Sequence, residues 1–99
     1  MNERELRPDE TELVGEWLDT GSRIEGDAVA ARIEWLVQES LLELAADESG
    51  WSTLYRDLRD GRLWERTHPH SHLARGGPPR LRVITAAAAA RKYGVALGE

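Results

Sequence analysis

The chain has no cysteine among its 99 residues, a single methionine and a single lysine, and no apolar run long enough to cross a membrane. The absence of cysteine excludes a disulfide scaffold and a zinc site with thiolate ligands, and it is typical of proteins in the reducing cytoplasm. The first five residues, MNERE, are polar and acidic, which is the reverse of a signal peptide. We therefore expect a cytoplasmic protein that has no contact with the membrane.

The length of the chain is that of one domain with one hydrophobic core. The first ten residues are strongly charged and have no apolar periodicity. We predict a single domain over residues 1–99, in which residues 1–10 form a loose lead-in.

The net charge of −5 is unevenly distributed, because residues 1–50 carry −10 and residues 51–99 carry +5. Two explanations are open. The halves neutralise each other in the fold, or an acidic surface steers the approach of a basic partner. The overall acidity argues against a general nucleic-acid-binding protein. A nucleic-acid-binding module that uses the basic stretch from Arg56 to Arg82 is kept as an alternative.

Two segments have helical signals. Asp27 is a suitable N-cap for a helix over residues 28–46, and Thr85 is one for a short helix over residues 86–93 that ends at Gly94. The first helix has an apolar stripe with intervals of three and four residues. Its members are Val29, Ile33, Leu36, Val37, Leu41 and Leu44.

The remaining periodic segments are typical of strands. They cover residues 12–19, 23–26, 51–57, 62–67 and 80–85. Together with the two helices they predict an α+β fold. We expect a small, mostly antiparallel sheet with the long helix packed on one face and the short C-terminal helix beside it.

The segments 51–57 and 62–67 are predicted to form a hairpin with a four-residue loop. The register that follows from this loop places Tyr55 opposite Trp64, and Asp57 opposite Arg62. We therefore expect an aromatic pair and an ion pair across the hairpin.

Two groups of residues are candidates for chemistry, and both are weak. His68, His70 and His72 alternate as metal ligands on a strand do, but Pro69 lies between the first two and His-containing loops are commonly just solvated. Asp57 and Glu65 are an acid/base pair by type, yet the hairpin register points them to opposite faces. We predict no catalytic residues, no metal site and no cofactor, and a small metal-binding or enzymatic domain stays an alternative.

A set of short motifs runs in fixed order along the chain. They are Leu13-Val14-Gly15-x-Trp17, Arg32-Ile33-Glu34-x-Leu36, Gly50-Trp51-x-x-Leu54-Tyr55-x-Asp57, Asp60-Gly61-Arg62-x-Trp64-Glu65, Pro69, Gly76-Gly77-Pro78-Pro79 and Lys92-Tyr93-Gly94. Together, over roughly residues 10–94, they resemble the immunity protein 27 family (Imm27) of bacterial polymorphic toxin systems.

The resemblance implies a small α+β protein without catalytic activity. It also implies an antidote that binds and blocks a toxin domain encoded by a neighbouring gene. If that toxin is a nuclease, acidic residues suit its basic nucleic-acid groove, and exposed Tyr, Trp and Arg side chains are typical of binding hot spots. The predicted partner-binding residues are Glu10, Glu12, Glu16, Asp19, Tyr55, Arg62 and Trp64.

Overall fold

The structure is a computed structural model that describes residues 4–19, 21–22, 24–69 and 77–94. Within these ranges the chain forms two helices and seven strands. The helices are α1 (Ala28–Trp35), which continues as a π-helical turn over Leu36–Ser40, and α2 (Ala86–Tyr93). The strands are β1 (Glu12–Val14), β2 (Trp17–Asp19), β3 (Ile24–Gly26), β4 (Leu41–Ala46), β5 (Thr53–Asp57), β6 (Leu63–Thr67) and β7 (Arg80–Ile84).

Five of these strands form one sheet in the order β1-β7-β6-β5-β4, and β2 pairs only with β3 in the described part of the chain. All of the pairings between described strands are antiparallel. The sheet and the two helices confirm the predicted α+β class. The edges of the large sheet are β1 and β4.

A helix packs on each face of the large sheet. Trp64 belongs to a core cluster that includes Ile33 of α1, whereas its neighbour Leu63 belongs to a second cluster with Ala89 of α2. Because successive strand residues point to opposite faces, the two clusters lie on opposite sides of the sheet. The C-terminal helix is therefore across the sheet from α1, not beside it. The larger cluster consists of Leu6, Leu13, Ile33, Leu36, Leu41, Tyr55, Trp64 and Leu81.

The helix predicted over residues 28–46 is shorter in the structure, because the helical segment ends at Ser40. At Leu41 the backbone becomes extended, with φ −101° and ψ 149°, and the chain continues as β4 paired with β5. The pairing shifts register between Glu43 and Ala45, so the apolar residues of this strand do not alternate regularly. Strand pairing here overrides a local pattern that is typical of a helix.

The single strand predicted over residues 12–19 is split into β1 and β2 at Gly15. The Gly15 N–H donates to the carbonyl of Pro79 at 2.9 Å. A Cβ at this position would lie 2.9 Å from that oxygen and 3.0 Å from the Ala30 Cβ, so only glycine fits here without a shift of backbone. The close approach bends the chain, and β2 leaves the large sheet to pair with β3.

The hairpin of β5 and β6 has the predicted register, with Tyr55 opposite Trp64. The predicted ion pair between Asp57 and Arg62 is wrong. The fully buried Asp57 carboxylate accepts from the Arg59 backbone N–H at 2.9 Å and from the Arg59 guanidinium at 3.2 Å. The tight turn supplies these donors locally, and the Arg62 guanidinium points to the N-terminal segment instead.

The N-terminal segment, residues 4–10, is held in place, although the sequence suggests a loose lead-in. Leu6 is part of the larger core cluster. Three arginine side chains donate to the backbone carbonyls of the segment: Arg32 to Arg4 and Glu5, Arg59 to Leu6, and Arg62 to Arg7 and Glu10. These five bonds fasten the segment to α1 and to the hairpin turn.

Helix α2 has the predicted bounds. The Thr85 hydroxyl accepts from the Ala88 N–H at 3.1 Å, and Gly94 ends the helix in the left-handed region at φ 65°. Neither of the described helices is long and apolar enough to cross a membrane.

A buried carboxylate fastens α2 to the sheet. Glu65 of β6 is 1% exposed, and it accepts from the Tyr93 hydroxyl at 2.8 Å. The Lys92 ammonium lies 2.5 Å from the same carboxylate, and the Arg82 guanidinium lies 3.7 Å from its other oxygen. Because an unpaired charge in this position is costly, the contacts of Lys92 and Tyr93 with Glu65 hold the end of α2 against the sheet.

Candidate interaction groove

Two of the predicted partner-binding residues, Tyr55 and Trp64, lie in the core. Their side chains are 3% and 0% exposed. Burial raises the pKa of the Tyr55 hydroxyl. The Arg62 guanidinium lies 5.0 Å from the centroid of the Trp64 ring and covers it. In this conformation neither ring offers surface to another protein.

Glu10 and Arg62 use their polar groups to hold the N-terminal segment. The two carboxylate oxygens of Glu10 accept from the two terminal nitrogens of Arg32 at 2.8 and 2.7 Å. This bidentate pair lowers the pKa of Glu10 from 4.5 to about 2, chiefly through the side-chain hydrogen bonds. The polar groups of both residues are therefore engaged within the fold and are not free to bind a partner.

The other predicted acidic contacts lie on or near β1 and β2. Glu12 is paired with Arg80 across β1 and β7. Glu16 follows β1, its side chain is exposed, and it has no side-chain partner among the described residues. Asp19 ends β2, and its side chain lies outside the described part of the structure. Glu12 and Glu16 are thus the described carboxylates of this group that reach the surface.

The acidic and basic halves of the chain are joined by ion pairs. This supports the explanation that the two halves neutralise each other within the fold. Among the residues that the structure describes, the pairs between the halves are Arg59–Glu5 at 3.7 Å, Arg66–Glu34 at 3.2 Å and Arg80–Glu12.

Two cavities of about 340 and 330 Å³ share Trp17 and Pro79 among their lining residues. We refer to them together as the Trp17 groove. The first cavity is lined by Val14, Gly15, Glu16, Trp17, Pro69, Pro78, Pro79 and Arg80. The second is lined by Trp17, Gly26, Ala30, Ala31, Glu34, His68, Gly77 and Pro79.

Close backbone packing forms the floor of the groove. Gly26 of β3 lies against α1, and a Cβ there would be 2.9 Å from the Ala30 Cβ and 3.4 Å from the Trp17 ring. The missing side chain lets the indole of Trp17 lie between β3, α1 and the segment that precedes β7. Pro78 and Pro79 form a wall that has no backbone N–H donors.

Aromatic and charged side chains lie around the second cavity. The Trp51 ring is 43% exposed and meets the His68 ring edge-on, with 5.3 Å between centroids. A ring nitrogen of His68 lies 3.4 Å from the Gly77 carbonyl. The Glu34 side chain is 46% exposed, and one of its oxygens accepts a hydrogen bond from the Arg66 guanidinium at 3.2 Å. Tryptophan and charged groups in one partly exposed surface are typical of protein-binding sites.

The groove contains Trp17 and Glu34, and Trp51 lies beside it against His68. None of the three is among the partner-binding residues predicted from the sequence. The family motifs are the one feature of the sequence that could have identified this surface. Several short motifs that carry the family resemblance, far apart in the sequence, meet here through Gly15, Trp17, Pro69 and the run Gly77–Pro79. Their convergence depends on tertiary contacts that no local pattern reveals.

The alternative sites for chemistry receive no support from the described residues. Among them there is no group of three side chains that is able to hold a metal ion, and His70 and His72 lie outside the described part of the chain. Asp57 and Glu65 are on opposite faces of the hairpin, as their register predicts, and each is buried beside its own cation. These two carboxylates do not share a cavity.

Comparison with known proteins identifies one family. The model of Imm27, immunity protein 27, matches residues 19–85, which is more than half of the chain and a narrower range than the 10–94 expected from the motifs. No curated protein and no solved structure matches the chain.

Proposed function

The chain belongs to the immunity protein 27 family, and on this premise we propose that it is a non-catalytic antitoxin. It binds a toxin domain encoded by a neighbouring gene and blocks that domain in the bacterial cytoplasm. The observation that carries the proposal is the family match over residues 19–85. The structure adds a surface on which such a partner has room to bind.

We infer that the toxin contacts the Trp17 groove and the carboxylates beside it. Support comes from exposure, because Glu12, Glu16, Glu34 and Trp51 reach the surface while Tyr55 and Trp64 are in the core. If the toxin is a nuclease, its nucleic-acid groove is basic, and carboxylates at this surface complement it. Charge of this kind mainly raises the rate of association.

The position of the arginines favours protein binding over nucleic-acid binding. Three arginines of the basic half are paired with carboxylates of the acidic half. Phosphate binding would require those cations to be free, since each phosphate contact needs a Lys or Arg that neutralises it.

A survival assay tests the proposal directly. The toxin domain encoded next to this gene is induced in a heterologous bacterium with and without this protein, and colonies are counted. We expect toxicity that this protein suppresses, together with a complex that co-purifies. Toxicity that persists in the presence of the folded protein would refute the antitoxin proposal.

The contact surface is tested by the rate of complex formation. We expect the double variant Glu12→Gln and Glu16→Gln to associate more slowly with the toxin domain and with a weaker dependence on salt. Glu10 is excluded from the variant because it holds the N-terminal segment. Because Glu12 is paired with Arg80, retained near-UV circular dichroism of the double variant must show that the fold is intact. The control is Glu43→Gln on β4, an exposed position at the opposite edge of the sheet. Association that is equally fast in the double variant and the control at all salt concentrations would contradict this contact surface.

A further inference from the structure

We propose that the Trp17 groove binds a single cationic side chain, an arginine or a lysine, that projects from the partner protein. This inference rests on the proposed function for the identity of the partner, while the chemistry of the groove argues for the cation. Trp17 supplies an aromatic wall, and Glu16 and Glu34 supply the charge.

Each of the two cavities combines the two groups that recognise a cation. Trp17 lines both, Glu16 lines the first, and Glu34 lines the second. A guanidinium or ammonium group is attracted to the face of an indole ring and forms strong hydrogen bonds with a carboxylate. The two interactions reinforce each other when they act on the same group.

Both carboxylates have free capacity for a partner. The Glu16 side chain has no partner among the described residues, and its side chain is exposed. Glu34 uses Oε1 to bind Arg66, and its Oε2 has no hydrogen-bond partner in the described part of the chain. A visiting cation therefore meets oxygen atoms that are still available.

The groove is poorly suited to an anion. Pro78 and Pro79 have no N–H groups to donate. The Arg80 guanidinium that lines the first cavity is already bound to Glu12. A phosphate or a carboxylate ligand would face the acidic oxygens of Glu16 and Glu34 instead of donors.

The size and the walls of the groove fit one long side chain. Ligand pockets usually measure about 300–1,000 Å³, and each cavity is at the lower end of this range with about 340 and 330 Å³. The walls beside Trp17 are apolar, and they are formed by Val14, Ala30 and the prolines. The aliphatic stem of an arginine or a lysine packs on such a surface while its charged head stays near water.

A short peptide tests the inference without the toxin. The peptide acetyl-Gly-Arg-Gly-amide is titrated into the ¹⁵N-labelled protein, and the indole N–H signal of Trp17 is followed by NMR after assignment with Trp17→Phe. The matched ligand is the same peptide with citrulline, which has the shape of arginine but no charge. We expect a saturable shift of the Trp17 signal with the arginine peptide, at millimolar affinity, and at least about tenfold weaker binding of the citrulline peptide.

Variants locate the charge that recognises the cation. The double variant Glu16→Gln and Glu34→Gln should lose about tenfold in affinity for the arginine peptide, whereas Glu43→Gln should keep it. Glu16 is exposed and the Glu34 side chain is 46% exposed, and retained near-UV circular dichroism shows that the fold is intact. An unchanged Trp17 signal, equal shifts with both peptides, or equal loss in the control variant would each overturn the inference.

The survival assay and the peptide titration test the antitoxin function and the cation site independently of each other. If the survival assay shows rescue and the arginine peptide leaves the Trp17 signal unchanged, the cation site is refuted and the antitoxin function stands. If the peptide binds at Trp17 and no rescue occurs, the cation site stands and the antitoxin function is refuted.

Discussion

Replacing Glu10 by glutamine removes the charge that fastens the N-terminal segment to α1. The Glu10 side chain is 11% exposed, and its carboxylate is held by two short bonds from Arg32. Glutamine keeps the size of the side chain but presents only one acceptor oxygen to the two guanidinium nitrogens. The variant therefore isolates the charge of this pair from the packing of the segment.

The size of the effect follows from the pKa of Glu10, which falls from 4.5 to about 2 in the folded protein. At about 1.4 kcal/mol per pKa unit, this difference corresponds to an upper limit of about 3 kcal/mol. Measured hydrogen bonds to charged groups contribute about 1.5–3 kcal/mol. We expect Glu10→Gln to lower the free energy of unfolding by about 2 kcal/mol at pH 7.

The effect must depend on pH with a definite sign. Because the folded pKa is lowered, the charged pair contributes its full stability above pH 4.5 and loses it as the pH falls towards 2. Urea unfolding of the two proteins between pH 7 and pH 2 should show a difference that shrinks in this window. Other titrating groups cancel, since they are common to both proteins.

The neighbouring residue Asp9 supplies the control. Its side chain is 83% exposed, and its nearest cation, Arg7, is 3.7 Å away. We expect Asp9→Asn to change the free energy of unfolding by less than about 0.5 kcal/mol. If Glu10→Gln costs no more than Asp9→Asn, or if its cost is the same at pH 7 and pH 2, then the charge of Glu10 does not hold the N-terminal segment.

Two further predictions concern α2 and the tyrosines. Lys92→Met should lower the free energy of unfolding by about 3 kcal/mol, because it leaves the buried charge of Glu65 short of a partner. Glu65→Gln should lower the free energy of unfolding by less, about 1 kcal/mol, because the remaining Lys92 side chain is 40% exposed and its charge is solvated. The measurement is urea unfolding of both variants, and a larger loss for Glu65→Gln than for Lys92→Met would contradict this reasoning. Burial raises the pKa of Tyr55 and of Tyr93, with the Glu65 carboxylate adding to the effect at Tyr93. The native protein should therefore show less tyrosinate absorbance at pH 10–11 than the unfolded protein, in which an exposed tyrosine has a pKa of about 10. Stability should fall as the pH rises above 10, because the unfolded state ionises first. Equal tyrosinate absorbance in the folded and the unfolded protein would disprove the burial.

Much of the fold is predictable because local signals agree with the tertiary structure. The Thr85 cap and Gly94 give α2 its bounds, and the loop length gives the hairpin its register, with Tyr55 opposite Trp64. In each case the deciding interactions lie within a few residues of one another. The ordered motifs likewise led to the family.

The predictions from the sequence are wrong where contacts between distant segments override a local pattern. Residues after Ser40 have a helical spacing of apolar side chains, yet they pair with β5 and form β4. The sequence predicts that Asp57 pairs with Arg62, but the Arg62 guanidinium donates to backbone carbonyls of the N-terminal segment, more than fifty residues away. Such contacts depend on how elements pack, and no window of the sequence contains both partners.

The candidate site shows the same division. The sequence alone determined the family, the α+β class, the types of residues available for recognition and the charge imbalance between the halves. Which of those residues are exposed depends on the packing of the whole chain, which buries Tyr55 and Trp64 and puts Trp17 into the same cavity linings as Glu16 and Glu34. The physical reason is that the composition of a binding surface is local, whereas its exposure and shape depend on how closely distant segments such as Gly15 and Pro79 approach each other.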